Sequence, residues 1–198
     1  MPNLFVLAGP NGAGKTTTHA RILVGERRVE AFVNADSIAI DLRKSGEINP
    51  DFQAGRLMLG RVDELVSRGK SLAFETTLAS RALLRRISLM QEKKYLFHLI
   101  YLWLPSAEMA IARVAARVRA GGHAIPENVI RRRYDRSLVN FFNLYRPIAD
   151  SWLMLDNSDL PEPRPFAWRN VGGPLHIVRQ GPWDKLRKKY EIDPLARR

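Results

Sequence analysis

Ala8-Gly9-Pro10-Asn11-Gly12-Ala13-Gly14-Lys15-Thr16-Thr17 decides how this chain is read. Gly9, Gly14, Lys15 and Thr16 fill the fixed positions of G-x-x-x-x-G-K-[ST], a phosphate-binding loop. Ahead of it stands Leu4-Phe5-Val6-Leu7-Ala8, apolar without alternation, as expected of a strand buried on both faces of a parallel sheet. Behind it, Thr16 to Val24 is expected to be helical. Strand, glycine loop and helix in that order give the loop its meaning. Glycines allow successive N–H groups to turn toward one anion, and the helix adds its positive end. Lys15 brings a charge to the β/γ-phosphates, and the Thr16 hydroxyl is placed for Mg²⁺.

The rest of the chain alternates. Ala31–Asp36 reads as a short strand ending in a carboxylate, with a helix over Ser37–Lys44 capped by Asp36 or Ser37. Asn49-Pro50-Asp51 opens a helix to about Arg68, with Leu57, Val62, Leu65 and Val66 as its apolar face. Ser71–Glu75 is a third strand, again closing on an acid. A helix over Ser80–Lys93 follows. Tyr95–Leu104 (YLFHLIYLWL) is the longest apolar run and the best central strand. Helices are expected over Ala107–Ala120 and from Pro126 to about Phe142, and a last sheet strand over Trp152–Asp156. After Leu160, Pro161, Pro163 and Pro165 mark an irregular stretch. Gly172-Gly173 then lies between Trp168–Val171 and Leu175–Val178 as a β-hairpin, and Trp183–Tyr190 reads as a short helix.

This pattern predicts a three-layer α/β P-loop NTPase or kinase fold with a mostly parallel central sheet, a helical lid and a small C-terminal hairpin. Residues 1–157 are expected to form the kinase domain, and 158–198 a C-terminal extension. Ligands of such folds lie at the carboxyl ends of the strands. Gly9, Asp36 and Glu75 all fall there; a carboxylate at Asp36 suits accepting an acceptor's proton, and Glu75 suits either holding a second acceptor hydroxyl or positioning Mg²⁺ through water.

The chain has 198 residues, 45% of them hydrophobic, which is enough for a core. It has no cysteine, so disulfides and thiolate metal sites are excluded, and a reducing cytoplasm is expected. No run approaches a membrane span, and no signal peptide is visible. The formal net charge is +12. That suits either an anionic small substrate or nucleic acid. A nucleic-acid-associated P-loop NTPase is therefore the alternative to a kinase, though a basic cluster beside a phosphate-transfer site needs no nucleic acid to explain it. Arg113, Arg117 and Arg119, the hinge Gly121-Gly122-His123, then Arg131, Arg132, Arg133 and Arg136 describe a mobile lid. Guanidinium groups suit phosphate because their planar fork meets two oxygens at once. Most of these arginines must be ordinary solvated surface, since one site uses two or three. Trp152, Trp168, Trp183 and Tyr145 are expected in the core rather than on a base.

Four stretches together resemble the zeta toxin family of P-loop kinases. They are Gly9–Thr17, Phe32–Ile38 (FVNADSI), Leu72–Leu78 (LAFETTL) and Arg117–Ser137 (RVRAGGHAIPENVIRRRYDRS). The similarity runs over about Met1 to Asn157. It implies a kinase using ATP and Mg²⁺ on a hydroxyl of a small metabolite; the best-known members phosphorylate UDP-N-acetylglucosamine. By position, Gly9 to Thr17, with Pro10, Asn11, Gly12 and Ala13 between, would hold the nucleotide, and Thr16 the metal. Asp36 would take the acceptor's proton. Glu75, with Thr76 beside it, would hold the acceptor. Arg119 and Arg132 best match the family's two triphosphate arginines, with Arg117, Arg131 and Arg133 within a slip of one or two residues. The stretch after Asn157 matches nothing in the plasmid toxins. The uridine-gripping region cannot be located, and toxin, with an antitoxin partner, and housekeeping kinase both stay open.

Overall fold

The computed structural model describes residues 1–23, 29–159 and 162–192. Val24, Leu160, Pro161 and the basic tail from 193 onward lie outside the described residues. A seven-stranded sheet organises the rest, in the order β2-β3-β1-β4-β5-β6-β7. β1 (Asn3–Ala8) is flanked in parallel by β3 (Leu72–Thr76) and β4 (Leu96–Trp103). β2 (Ala31–Val33) pairs in parallel with β3, and β5 (Ser151–Asp156) with β4. β6 (Arg164–Arg169) and β7 (Leu175–Ile177) continue the sheet antiparallel. Helices cover both sides, giving the three-layer α/β P-loop kinase fold. β4 is the middle strand, and its residues from Leu99 to Leu102 are almost completely buried, which is why the run shows no polar alternation.

Helix α1 (Lys15–Leu23) follows the glycine loop. The second strand ends three residues earlier than its apolar pattern suggests. Asn34, in an extended conformation, accepts a hydrogen bond from the Asp36 N–H at 2.7 Å and caps α2 (Ala35–Lys44). Asp36 is therefore neither the strand end nor the cap; it sits in the first helical turn. α3 (Pro50–Ser67) runs as expected, but Leu57 is exposed, and Ala54, Met58, Val62 and Leu65 form the buried stripe. α4 (Leu84–Glu92) begins four residues after Ser80. The segment before it is held open by tertiary bonds: Asn140 Nδ2 donates to the Leu78 carbonyl, and the Tyr145 hydroxyl to the Ser80 carbonyl.

Ser106 caps α5 (Ala107–Arg119) by accepting from the Met109 N–H. α6 (Glu127–Asn140) does not stop at Phe142. It continues through a π-helical turn (Phe141–Tyr145) into α7 (Arg146–Ile148). Pro165 is tolerated in β6 because it faces Leu155, where the register with β5 shifts. α8 (Gln180–Tyr190) returns Trp183 to the core. Fully buried, that indole stacks on Trp152, with centroids 5.6 Å apart, and packs against Phe142 and Phe166. The segment after residue 157 thus supplies strands to the sheet and an anchor to the core. Among the described residues no helix is long and apolar enough to cross a membrane.

Candidate active site

The loop after β1 is tightly fitted. Gly9 and Gly14 have φ of +145° and +79°, a region that disfavours side chains. A Cβ at Gly9 would collide with the Leu102 carbonyl oxygen of β4; one at Gly14 would lie 2.8 Å from Asn157 Nδ2. That same Nδ2 donates to the Ala13 carbonyl at 2.8 Å, so the residue just past β5 braces the loop. Pro10, Asn11 and Ala13 are buried, Gly12 and Gly14 half-buried, and Thr16 and Thr17 face solvent at the start of α1.

Lys15 is almost fully buried, and its ammonium donates to the Gly9 and Pro10 carbonyls at 3.0 Å each. Burial pushes its pKa below the usual lysine value; the nearby carboxylates of Glu75 and Asp36 pull it back up. Glu75, at the end of β3, accepts from the Thr16 hydroxyl on both carboxylate oxygens at 3.2 Å and from Asn34 Nδ2 at 3.3 Å. Its own pKa is raised by burial, against the pull of Lys15. Asp36 joins Lys15, Glu75 and Thr76 in lining a cleft of about 580 Å³ at the carboxyl ends of the strands.

The lid arginines divide. Tyr134, on α6, donates its hydroxyl to the Leu104 carbonyl, and the Tyr101 and Ser137 hydroxyls lie 2.8 Å apart. These bonds fix the rotation of α6 and turn Arg133 into the cleft. Arg117 donates to the His123 carbonyl at 3.0 Å, which fastens the end of α5 to the glycine hinge. The charges of Arg117 and Arg133 both reach Lys15. Arg119 and Arg132 are exposed and do not line the cleft. Arg131 pairs with Glu108, and Arg113 donates to the Ser158 carbonyl. His123 lines the cleft rim. Asp156, the other acid at a strand end, accepts from Ser158 and pairs with Arg179.

Two contributors escape a reading of the sequence, Asn34 and Asn157. Both stand at or just past the carboxyl end of a strand, and that position was their only signal.

The donor set suits its ligands. Positive-φ glycines without room for a Cβ, the start of α1 and a buried lysine make a cradle for a polyphosphate. A hydroxyl and a carboxylate side by side, Thr16 and Glu75, are the oxygen donors a hard cation such as Mg²⁺ takes.

Fold and loop together define a P-loop nucleotide-binding domain. Residues 4–140 match the AAA domain family, and the chain belongs to it. An uncharacterized protein of Haemophilus influenzae is 29% identical over 126 residues, 64% of this chain and 88% of that protein. Among solved structures, the AvrRxo1-ORF1:ORF2 complex with ATP contains a chain that superposes with a TM-score of 0.72 at 16% identity, over 98% of this chain. This chain spans 65% of that one's length. The PezAT chromosomal toxin-antitoxin system of Streptococcus pneumoniae gives 0.63 at 19% identity, over 100% of this chain and 82% of that one. A putative kinase from Chloroflexus aurantiacus gives 0.61 at 16% identity, over 79% and 89%. At these identities the superpositions establish the fold.

Proposed function

We propose that the protein is an ATP-dependent phosphotransferase that moves the γ-phosphate to a hydroxyl of a small metabolite. The observation that carries this reading is Asp36, whose backbone N–H is bound by the Asn34 cap and which lines the same cleft as Lys15 of the phosphate loop. The loop N–H groups and Lys15 grip the triphosphate. Asp36 accepts the proton of the acceptor hydroxyl as its oxygen bonds to the γ-phosphorus, and ADP leaves. Arg133 and Arg117 supply positive charge to the transferring group. Bound Mg²⁺, held beside Thr16 with Glu75 behind it, would offset phosphate charge.

The likeness of this fold to kinases and to chains solved with partner proteins supports the reading and extends it to a protein partner such as an antitoxin. The zeta toxin resemblance nominates UDP-N-acetylglucosamine as the first acceptor to assay. The test is a mass-spectrometric screen of a metabolite panel incubated with ATP, Mg²⁺ and the protein, with Asp36→Asn as the blank. A metabolite gaining one phosphoryl group with the native protein alone supports the reading. Release of inorganic phosphate with no phosphorylated metabolite contradicts it.

A further inference from the structure

Away from the cleft, a groove of about 520 Å³ lies between the start of α5, the middle of α6 and α8. Burial separates its floor from its rim. Trp103, Tyr134, Leu186 and Tyr190 are buried, whereas Arg131, Arg179, Lys185 and Lys189 are exposed. Polar contacts tie the walls together. The Tyr190 hydroxyl donates to Asp135 at 2.9 Å, joining α8 to α6, and Arg131 pairs with Glu108, joining α6 to α5. The groove shares no residue with the catalytic cleft.

The rim sets those four cations against two carboxylates, Glu108 and Asp135. Arg131 is neutralised by Glu108, and Arg179 by Asp156 outside the groove. Lys185 and Lys189 pair with no acid among the described residues. They stand one turn apart on α8, a spacing at which like charges repel and weaken a helix. The Lys189 ammonium lies 4.8 Å from the centre of the Tyr190 ring, which holds it at the floor. Two uncompensated cations thus border an apolar surface, and an acidic ligand would relieve their repulsion.

We infer that this groove docks an acidic segment of a partner protein. One apolar side chain of that segment enters over Trp103 and Leu186, and its flanking carboxylates meet Lys185 and Lys189. The apolar anchor supplies most of the binding energy, and the complementary charge supplies register and encounter rate. Nucleic acid fits the groove less well. Its phosphates would face Glu108 and Asp135, and the aromatic rings are buried rather than presented to a base. A second copy of the chain also fits less well, since each brings a net charge of +12. The inference stands apart from the phosphotransferase reading, because docking needs neither nucleotide nor acceptor.

Fluorescence anisotropy with the full chain, free of nucleotide, tests this. The labelled probes are a short peptide of glutamates around one central leucine, the same peptide with serine for the leucine, the same with lysines for the glutamates, and an oligouridylate. The leucine peptide is expected to bind about tenfold or more tightly than each of the others. Lys185→Glu with Lys189→Glu should weaken it about tenfold or more. Lys93→Glu with Lys188→Glu makes the same change in net charge at exposed positions outside the groove, and should leave binding nearly unchanged. Where the first pair does not fold, Lys185→Gln with Lys189→Gln carries the same expectation. The inference is overturned if the leucine peptide does not bind, if the serine peptide or the oligouridylate binds as tightly, or if the groove pair changes its affinity no more than the control pair does.

Discussion

Thr16 Oγ1 lies 3.2 Å from each carboxylate oxygen of Glu75, so the first turn of α1 is tied to the end of β3 across 59 residues of sequence. The contact places a carboxylate beside the hydroxyl expected to meet Mg²⁺, and it keeps that carboxylate largely out of water.

Glu75→Gln should therefore trade activity for stability. Burial raises the Glu75 pKa above its ordinary 4.5. Between that value and the raised one the folded state holds more proton than the unfolded state, so stability falls as pH rises through this window. Glutamine carries no such penalty. The variant without nucleotide should melt higher than the native protein at neutral pH, and the gap should close as pH falls toward the ordinary carboxylate range. Its Mg²⁺-dependent turnover should drop roughly 10–100-fold, as for other residues that position a metal ligand. Melting curves across pH and a magnesium titration of activity check both halves.

Asn157→Ala should weaken nucleotide binding from a distance. Its amide braces the loop through the Ala13 carbonyl, and the residue is 2% exposed. Losing that bond in the interior should cost about 1–3 kcal/mol of stability. ATP affinity by calorimetry should fall, although no role toward the acceptor is assigned to the residue.

Gly9→Ala should abolish nucleotide binding. The added methyl group meets the Leu102 carbonyl of the neighbouring strand, a backbone atom that cannot swing aside. The loop must move instead, and its N–H groups with it. Equilibrium binding of a fluorescent ATP analogue reads the loss.

Trp183→Ala should destabilise the whole chain. The indole fills the space between Trp152, Phe142 and Phe166, so its removal should cost about 3–5 kcal/mol. One cooperative melting transition, shifted down, is expected for a C-terminal segment that shares its core with the phosphate-loop region. A second, separate transition would contradict it.

Much of this fold was legible because the signals were local. Gly9 to Thr16 has a fixed spacing, and β4 announces itself as a long apolar run. Gly172-Gly173 marks the turn between β6 and β7. What was not legible depended on rotation and on distant partners. Arg131, Arg132 and Arg133 are equivalent as sequence. Only the burial of Ile130, Tyr134 and Leu138 orients α6 so that Val129 and Arg133, one turn apart, line the cleft. Arg132, a best match by position, is left exposed, as is Arg119 at the end of α5. Asp36 read as a strand end because nothing local shows that Asn34 caps the helix first. Ser80 read as a helix start, yet Asn140 and Tyr145, far along the chain, hold its segment in another conformation.

The most direct test of the account is a crystal structure with a non-hydrolysable ATP analogue and Mg²⁺. It should show the triphosphate wrapped by residues 9–16, with the terminal phosphate between the Lys15 ammonium and the Asp36 carboxylate. An empty loop, or a terminal phosphate facing away from Asp36, would contradict it.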